Sequence, residues 1–487
     1  MHITISNNSL NSSDNNVTNK TQIFFSEIQN IKKMYNLGTT LYIIEIIGEY
    51  YTNPYGNNNT YASNFKIKSK YSLYDISTYE LFDLNIADNI YIVEHACKEG
   101  NIDFLNWWLL SGYNLVYTET TIDNANIYKE IEILNWWLNS GLEMRYTSKS
   151  VDRASNFALF DILNWWITSG LPFKYSKSCM NFDYHADLCE EDKIRILTWW
   201  KESGLLLKYD HNAIDNASKK SHISVLNWWI ESGLDICYSE NAIDLVTLYN
   251  NTKILDWWVE SGLELKYTEN AIDMASRYFS FNILDWWLKS GLPFKYTSES
   301  LDDILLDYLI NTSQEEDVYE IIKLLYWWKS SGLELRYTHH FLNNMSECGY
   351  IEVLDWFKNS GLPILYSEEA MDCANDINVL EWWLKSDLPL KYSCKSMNLG
   401  TNIEILQWWI NSGLTIKYDE RLIDTAFTLD KVDILEFMLS SELPFIHSKH
   451  GHLGYMDKIP ELSIQWWIKS GLSMEYISNI NYPETNK

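Results

Sequence analysis

Two sets of side chains in this sequence have the types and spacing that metal chemistry needs. In the first set an Asp recurs, often 29 residues apart, at Asp123, Asp152, Asp215, Asp244, Asp273, Asp372 and Asp424. Carboxylate oxygens are calcium ligands, but one Ca²⁺ gathers its oxygens at about 2.3–2.6 Å. Side chains on neighbouring packed helices stand roughly 8–10 Å apart. We therefore expect each Asp to bond to the backbone of the next structural unit rather than to share a cation.

A histidine triplet forms the second set. His447, His450 and His452 have a spacing compatible with metal binding. The segment around them, HSKHGHLGYMDKIP, has the Gly and polar residues that are typical of a loop. We expect this loop to be a degenerate connection between two repeated units, without a ligand role.

Catalytic motifs are absent from the sequence. Eleven of the 19 glycines follow a Ser at a recurrent helix stop, and the other eight form neither G-x-G-x-x-G nor G-x-x-x-x-G-K. No Ser, Cys or His lies in a recognisable nucleophile context. The sequence therefore predicts a protein that is not an enzyme and that holds no cofactor and no metal.

Tryptophan defines the organisation of the chain. Eleven Trp-Trp pairs and one Trp-Phe pair account for all 23 Trp residues, and Phe437 begins a thirteenth, degenerate copy. Successive copies are most often 29 residues apart, with a Ser four residues after the first aromatic residue and a Tyr or His ten residues after it. A fixed period of this length indicates a solenoid of stacked repeats.

The copy at residues 268–296 predicts two helices. Thr268 is typical of an N-cap, and a short helix with a small apolar face follows it. A second helix over about 282–290 carries too wide an apolar stripe to be covered on one side only. Gly291 can adopt the left-handed conformation that ends this helix. Each repeat therefore needs its neighbours on both sides.

The charge and the cysteine content indicate which partners and which cellular compartment to expect. The formal net charge is −28, and the first 75 residues are nearly neutral, with six Lys against five Asp or Glu. An acidic surface repels phosphate, so we expect no nucleic acid partner. It favours a basic protein, although the same charge also keeps a monomer in solution. The seven scattered Cys favour a reducing compartment.

Membrane and secretion signals are weak. The run LYIIEIIGEYY is short and is interrupted by Glu45 and Glu49, and the first residues lack the basic and then apolar pattern of a signal peptide. We expect no membrane association and a cytoplasmic location.

The repeated pattern A-I-D-x-A-S, a turn, and then I-x-V-L-x-W-W-x-x-S-G-L resembles the ankyrin repeat over about residues 80–478. Gly100 and Gly349 stand at the inner-turn Gly of that family, and His222 stands at its His. The departures are Asp in place of the family's other His, Trp-Trp in place of Leu-Leu, and a period of 29 instead of 33. This Trp-rich version looks like the ankyrin-like proteins that large DNA viruses carry in many copies.

The resemblance implies an all-α, ankyrin-like solenoid of about thirteen helix-turn-helix units with a protein-interaction role in the cytoplasm of an infected cell. Arrays of that family usually bind through the inner helix, which makes the residue after the recurrent Asp a candidate for partner binding. These candidates are Asn124, Arg153, Asn216, Leu245, Met274, Cys373 and Thr425. Variation within a repeated frame suits recognition, and it is equally what an unconstrained surface shows.

Other segments flank or interrupt the array at residues 80–478. We expect residues 1–20 to be a disordered Asn- and Ser-rich leader, residues 21–79 to be an N-terminal cap or small helical region with an amphipathic helix over 24–50, and residues 479–487 to be a tail. The insertions before Trp199 and Trp327 are either solvated bulges or recognition loops.

Together these features predict a monomeric scaffold that binds a host or viral protein through an acidic surface. The acidic surface would suit a basic protein. The alternative is a structural component that self-associates through the ends of the solenoid. A third hypothesis places an enzymatic or adaptor activity in residues 21–75, which is a short stretch for a catalytic pocket.

Overall fold

The structure is a computed structural model. It describes residues 1–7, 23–48, 50–53, 59–125, 131–182, 188–304, 314–399, 402–448, 460–473 and 476–477. The chain divides into two compact units, Met1–Ser239 and Glu240–Lys487. The tail expected at 479–487 and residues 8–20 of the expected leader lie outside the described residues.

The first unit begins with a six-stranded antiparallel sheet in the order β4-β5-β2-β1-β3-β6. Its strands are β1 His2–Ser6, β2 Ile23–Glu27, β3 Thr40–Ile46, β4 Tyr50–Asn53, β5 Asn59–Ala62 and β6 Phe65–Ser72. In β2 the buried Ile23 and Phe25 alternate with less buried neighbours, and they share a core with Tyr42 and Ile44 of β3. The alternation with a period of two is what gives the sheet its apolar face.

The predicted all-α fold class is wrong, because the first unit contains this sheet. The helical region expected within 21–79 is mainly strands, and the amphipathic helix expected over 24–50 is replaced by β2, β3 and two 3-10 turns, Ile28–Lys33 and Tyr35–Leu37. Residues 2–6, expected in a disordered leader, form β1. The physical reason is pairing at a distance, because β1 lies against β3 with His2 opposite Ile44. Short runs of β-branched and aromatic residues become strands when such a partner is present.

The rest of the first unit is helical. Its helices are α1 Ile76–Leu81, α2 Ile92–Lys98, α3 Ile102–Ser111, α4 Glu119–Ala125, α5 Ile131–Asn139, α6 Lys149–Asn156, α7 Phe160–Thr168, α8 Ser178–Asn181, α9 Glu190–Glu202, α10 Asn212–Lys219 and α11 Ile223–Ser232. From α2 onward, short helices alternate with helices that carry the Trp pairs. Short helices pack on short helices, as α4 does on α2 and α6, and α5 packs on α7.

The second unit continues the same alternation. Its helices are α12 Asn241–Asp244, α13 Thr252–Glu260, α14 Asn270–Arg277, α15 Phe281–Ser290, α16 Glu299–Asp302, α17 Gln314–Ser331, α18 His339–Glu347, α19 Ile351–Ser360, α20 Glu369–Asp372, α21 Ile377–Lys385, α22 Lys395–Asn398, α23 Ile403–Asn411, α24 Arg421–Thr428, α25 Val432–Ser440 and α26 Glu461–Ser470. A 3-10 turn, Leu245–Tyr249, follows α12. Both units are therefore arrays of helical repeats, and the first unit also carries the sheet.

Each Trp helix uses its aromatic pair in two ways. The second residue is buried: Trp287 is 2% exposed and packs on the ring of Tyr267 from the preceding repeat, with ring centroids 4.6 Å apart. The first residue is half-buried in most repeats, although Trp408 is buried, and its indole N–H typically donates to the preceding repeat, as Trp286 does to Asp256 Oδ1 at 2.7 Å. On the other side of the same helix, Asp285 Oδ1 accepts the indole N–H of Trp327 from the next repeat at 2.8 Å. The prediction that neighbours cover this helix on both sides is therefore confirmed.

The recurrent Ser-Gly-Leu ends the Trp helix as predicted. Gly291 has φ +72°, in the left-handed region that favours glycine. The hydroxyl of Ser290 donates to the carbonyl oxygen of Trp287 at 2.8 Å and accepts the N–H of Leu292 at 3.2 Å. The hydroxyl of one Ser therefore makes hydrogen bonds to both a carbonyl group and an N–H group at the helix end.

Departures from the 29-residue period change helix length. The described parts of the insertions before Trp199 and Trp327 extend Trp helices, so that α9 has 13 residues and α17 has 18. The remaining inserted residues, 183–187 and 305–313, lie outside the described residues. The short helices vary in length independently of the period: α20 and α22, where the period falls to 26, have four residues each, as do α8, α12 and α16, against nine in α18.

Candidate interaction surface

The recurrent Asp holds the start of the next repeat. Asp244 is buried and accepts the backbone N–H of Thr268 at 3.0 Å and its hydroxyl at 2.5 Å. Equivalent bonds join Asp123 to Thr147, Asp152 to Ser176, Asp215 to Ser239, Asp273 to Thr297, Asp302 to Thr338 and Asp372 to Ser393. The expected bonding to the backbone of the next repeat is confirmed. Within the described parts of the chain, no three His, Cys, Asp or Glu side chains are grouped to hold a metal ion.

Three repeats use Asn at this position. Asn343 accepts the N–H of Ser367 at 3.1 Å and donates to its hydroxyl at 2.7 Å. Asn398 accepts the N–H of Asp419 at 3.2 Å and donates to its carboxylate at 2.8 Å. Asp therefore faces a hydroxyl donor in most repeats, whereas Asn can also face a carboxylate. Each junction keeps an acceptor for the same backbone N–H.

Burial changes the acid strength of these Asp side chains. It raises the pKa of Asp152, Asp215, Asp244 and Asp273, although hydrogen bonds from Ser or Thr of the next repeat act in the opposite direction. The shifts have a structural cause that is shared by all four residues. They therefore do not mark one of the four as a catalytic acid.

The seven predicted partner-binding residues are all half-buried on, or immediately after, the short helices. In the first unit the structure brings Asn124 and Arg153 together, with the guanidinium donating to the amide oxygen. Asn124 also donates to Glu94 Oε1 at 2.8 Å, and Asn216 donates to the backbone oxygen of Asn181 at 3.0 Å. These three side chains already stabilise contacts between repeats, so only part of each is available to a partner.

In the second unit the predicted residues are Leu245, Met274, Cys373 and Thr425, and Cys373 lines a cavity. Four residues that were not predicted occupy the same position in other repeats. They are Phe182, Asp303, Asn344 and Leu399. Asn replaces the preceding Asp before three of them, and an insertion follows the fourth. The signal that marks all four in the sequence is an Asp or an Asn at that point of the period.

Basic side chains that precede the recurrent Tyr are used between repeats. Lys295 Nζ lies 4.4 Å from the ring centroid of Tyr267 and donates to the backbone oxygen of the same residue at 3.0 Å. Both contacts recur for Lys174 with Tyr146, Lys208 with Tyr175, Arg336 with Tyr296, Lys391 with Tyr366, and Lys417 with Tyr392. A cation that lies over an aromatic ring and donates to a carbonyl group of the preceding repeat stabilises the contact between the two repeats.

Exposed carboxylates mark the start of several short helices in the second unit. We call these residues the acidic rim: Glu240, Glu269, Glu368 and Glu420, which directly precede α12, α14, α20 and α24. The helix dipole favours negative charge at this end of a helix. In the first unit the corresponding residues include Lys177 and His211, so the rim is a feature of the second unit.

The histidine triplet falls partly outside the described residues, because His450 and His452 are not among them. His447 packs edge-on against Trp467, with ring centroids 5.2 Å apart, and its Nδ1 lies 2.7 Å from the backbone oxygen of Ser448. His447 therefore takes the place of the recurrent Tyr against the buried Trp of the next repeat.

None of the seven Cys residues forms a disulfide, and they range from buried Cys97 to exposed Cys237. Across the described ranges, no helix combines the length and the apolar character needed to cross a bilayer.

Comparison with known proteins supports a repeat array with a viral relative. No family model matches the chain. An uncharacterized protein of Acanthamoeba polyphaga mimivirus is 37% identical over 107 residues, which cover 22% of this chain and 34% of that protein. This is a helical-repeat chain with a relative in a large DNA virus. The ankyrin type is not confirmed, and the match spans only about a third of the relative.

Solved structures of other helical-repeat proteins are also similar. A pentatricopeptide repeat protein in complex with an 18-nt RNA element matches over 70% of this chain and 50% of its own, with a TM-score of 0.38 and 11% identity. The same kind of protein from maize matches over 81% of this chain and 63% of its own, with a TM-score of 0.28 and 11% identity.

The expectation that nucleic acid is excluded as a partner is wrong. It is overturned by the RNA complexes among the similar structures. The physical reason is that a net charge describes the sum over the chain and not one surface. In the first unit, for example, Lys66, Lys68 and Lys70 are all exposed on β6. An acidic total therefore does not exclude a phosphate-binding face.

Proposed function

We propose that this chain is a non-catalytic scaffold that binds a basic protein through its acidic rim and the adjoining short helices. The division of charge carries this proposal. Lys295, Lys391 and Lys417 are engaged with the preceding repeat, whereas the carboxylates of the acidic rim are exposed. The surface that a partner can reach in the second unit is therefore more acidic than the ratio of acidic to basic residues in the repeats would suggest. Complementary charge guides such a partner to the surface and sets its orientation.

The variable residues of the short helices provide the specificity in this proposal. Met274, Cys373 and Thr425 differ in size and polarity at one point of a repeated frame, and each is half-buried. Half-buried residues can contact a partner without a change in the frame, because the frame is held by the Asp and Trp contacts on either side.

We also propose that the array is of the ankyrin type. The order of short helix, tight turn and second helix supports this assignment. Gly100 and Gly349 occupy the inner turn with φ +68° and +83°, in the left-handed region, where the family resemblance places a Gly. His222 follows the same turn in another repeat.

The viral relative and the unpaired cysteines support a location in the reducing cytoplasm of an infected cell. We propose that the chain acts there as a monomer. The alternative, self-association through the ends of the array, has one observation against it. Tyr476 stacks on Trp467 of its own repeat, with ring centroids 4.1 Å apart, and donates to Asp424 at 2.8 Å. Its ring is therefore already used within the unit. Light scattering over a concentration series tests the monomer.

Affinity capture from host cells with the full chain tests the scaffold, after nuclease treatment of the lysate. The rim variant replaces all four rim residues by Gln: Glu240→Gln, Glu269→Gln, Glu368→Gln and Glu420→Gln. The matched control removes the same charge from exposed positions on the second helix of four repeats: Glu260→Gln, Glu352→Gln, Glu404→Gln and Glu436→Gln. We expect basic proteins to be retained by the wild type and the control and lost by the rim variant. Capture that depends on intact RNA, or equal capture by both variants, would contradict the proposal.

A further inference from the structure

A cavity of about 210 Å³ lies in the second unit where two short helices are truncated. Cys373, Ala374 and Asn375, which follow α20, form one side of it, and Leu399 and Ile405 lie on the wall near α22 and α23. The helix α20 ends at Asp372, whereas α18 continues for a second turn. The cavity is thus found where a regular repeat would place helix. Its volume is smaller than that of a pocket for a drug-sized ligand and suits a single side chain.

The missing turn also leaves a buried donor without an acceptor. In the preceding repeat the indole N–H of Trp383 donates to Ser346 Oγ, in the second turn of α18, at 2.8 Å. The residue at the equivalent position after α20 is Asn375, which lies outside the helix and lines the cavity. The corresponding indole N–H, that of Trp409, is buried and has no hydrogen-bond partner within the described residues. A buried donor without a partner costs about 1–3 kcal/mol.

The charged residues in the lining of the cavity are both carboxylates. Glu347 and Asp372 both line it. Asp372 already accepts the N–H and the hydroxyl of Ser393, but each carboxylate oxygen has a second lone pair. Burial raises the pKa of the Cys373 thiol, and nearby Glu347, Glu369 and Asp372 raise it further.

One cation partly offsets this negative potential. Lys395 Nζ lies 3.9 Å from Glu369, whose carboxylate is outside the cavity lining. Lys395 lowers the pKa of Cys373, in the direction opposite to the carboxylates. Because Glu347 and Asp372 line the cavity and Lys395 does not, the cavity favours a cation over an anion.

We propose that this cavity receives one Arg or Lys residue of the bound protein. The cationic head faces Glu347 and Asp372, and the aliphatic stem lies along Leu399 and Ile405. This inference rests on the proposed function, because it names the residue type by which a basic partner is anchored. An anchor of this kind, held in a pocket, is typical of the side chains that dominate the energy of an interface.

Protection of the Cys373 thiol tests the assignment on the full chain. The probe is an acetylated and amidated Gly-Arg-Gly tripeptide, and its neutral counterpart carries citrulline in place of Arg. The rate of Cys373 alkylation by iodoacetamide is followed by mass spectrometry, with exposed Cys237 as an internal reference. We expect the Arg peptide to slow alkylation of Cys373 alone. Citrulline, which lacks the charge, is expected to protect much less.

The variant Glu347→Gln removes one carboxylate from an exposed position on the wall, and Glu404→Gln removes one outside it. We expect the first variant to weaken protection by about threefold to fivefold, as the loss of one partly exposed ion pair predicts, and the second to leave it unchanged. Equal protection by Arg and citrulline, or none at saturating peptide, overturns the cavity assignment. If the chain still captures a basic protein through the acidic rim, only the cavity assignment fails. If rim-dependent capture is also absent, the proposed function fails with it.

Discussion

The buried carboxylate of Asp273 accepts both the backbone N–H and the hydroxyl of Thr297, at 3.0 and 2.7 Å. Thr297 in turn caps the next short helix, since its hydroxyl accepts the N–H of Glu299 at 3.1 Å. The contact therefore joins the middle of one short helix to the start of the next. Because burial raises the pKa of Asp273, the ionised form is disfavoured in the folded chain. We therefore expect the acceptor oxygens of this residue to matter more for stability than its charge.

Replacement of Asp273 by Ala is expected to lower the free energy of unfolding by about 1–3 kcal/mol, because the N–H of Thr297 loses its acceptor. Asp273→Asn should cost less than half as much, since Asn343 accepts the equivalent N–H of Ser367. Urea unfolding followed by tryptophan fluorescence should give midpoints in the order wild type, Asn variant, Ala variant. Equal losses for Asn and Ala would mean that the charge itself is required.

Ser221 and Gly349 occupy equivalent inner turns of two different repeats, and both have a left-handed backbone, at φ +58° and +83°. This conformation costs a residue with a Cβ about 1–2 kcal/mol. In addition, Ser221 Oγ is buried and has no partner among the described residues. Ser221→Gly is therefore expected to stabilise the chain by about 1 kcal/mol, after allowance for the greater freedom of Gly in the unfolded chain.

Two variants separate the causes of this gain. Ser221→Ala removes only the hydroxyl and should recover less of the stability, whereas Gly349→Ala should destabilise the chain by about 1 kcal/mol. Thermal unfolding of the three variants measures the order. A lower melting temperature for Ser221→Gly than for the wild type would show that the turn is not strained.

The local parts of the repeat could be predicted from the sequence. Thr268 as a cap, Gly291 as a stop and Asp244 as a link to the next repeat each depend on residues within about one period. The same signal recurs in many copies, so an error in one copy is corrected by the others. The link made by Asn398 was not predicted, because most other copies have Asp at this position.

The parts that depend on distant partners could not be predicted in this way. The strand β1 pairs with β3, with His2 opposite Ile44, and no repeated copy reports that pairing. The stacking of Lys295 on Tyr267 needs two repeats to be placed in register. The unpartnered N–H of Trp409 follows from a turn that is absent from another repeat. Each of these features is set by packing and not by local periodicity.

His222 and Lys193 form a pH-sensitive contact in the first unit. The two side chains lie 3.1 Å apart, from Nδ1 to Nζ, and Lys193 is buried. Burial first, and then the charge of Lys193, lower the pKa of His222 from 6.5 to about 4, against an opposing effect of Glu190. The unfolded chain therefore binds a proton at His222 more readily than the folded chain. This contribution lowers stability as the pH falls from about 6.5 towards 4, and it vanishes above that range.

The variant His222→Gln is expected to remove this part of the pH dependence. Urea midpoints of wild type and variant, measured at neutral pH and near pH 5, give the difference that isolates His222 from the other titrating groups. We expect the wild type to lose more stability than the variant on acidification. An identical loss in both proteins would show that His222 titrates normally.

The two residues of one Trp pair should differ sharply in their effect on stability. Trp287→Ala removes a side chain that is 2% exposed and should cost about 3–5 kcal/mol. Trp286→Phe keeps an aromatic ring and loses the bond to Asp256, at about 0.5–1.5 kcal/mol. Because a repeat contacts chiefly its neighbours, the first substitution should raise hydrogen exchange in α13 to α16 while α24 and α25 keep their protection. Hydrogen-exchange mass spectrometry measures this, with Trp286→Phe as the control. A uniform rise across the second unit would instead indicate a globular lobe that unfolds as a whole.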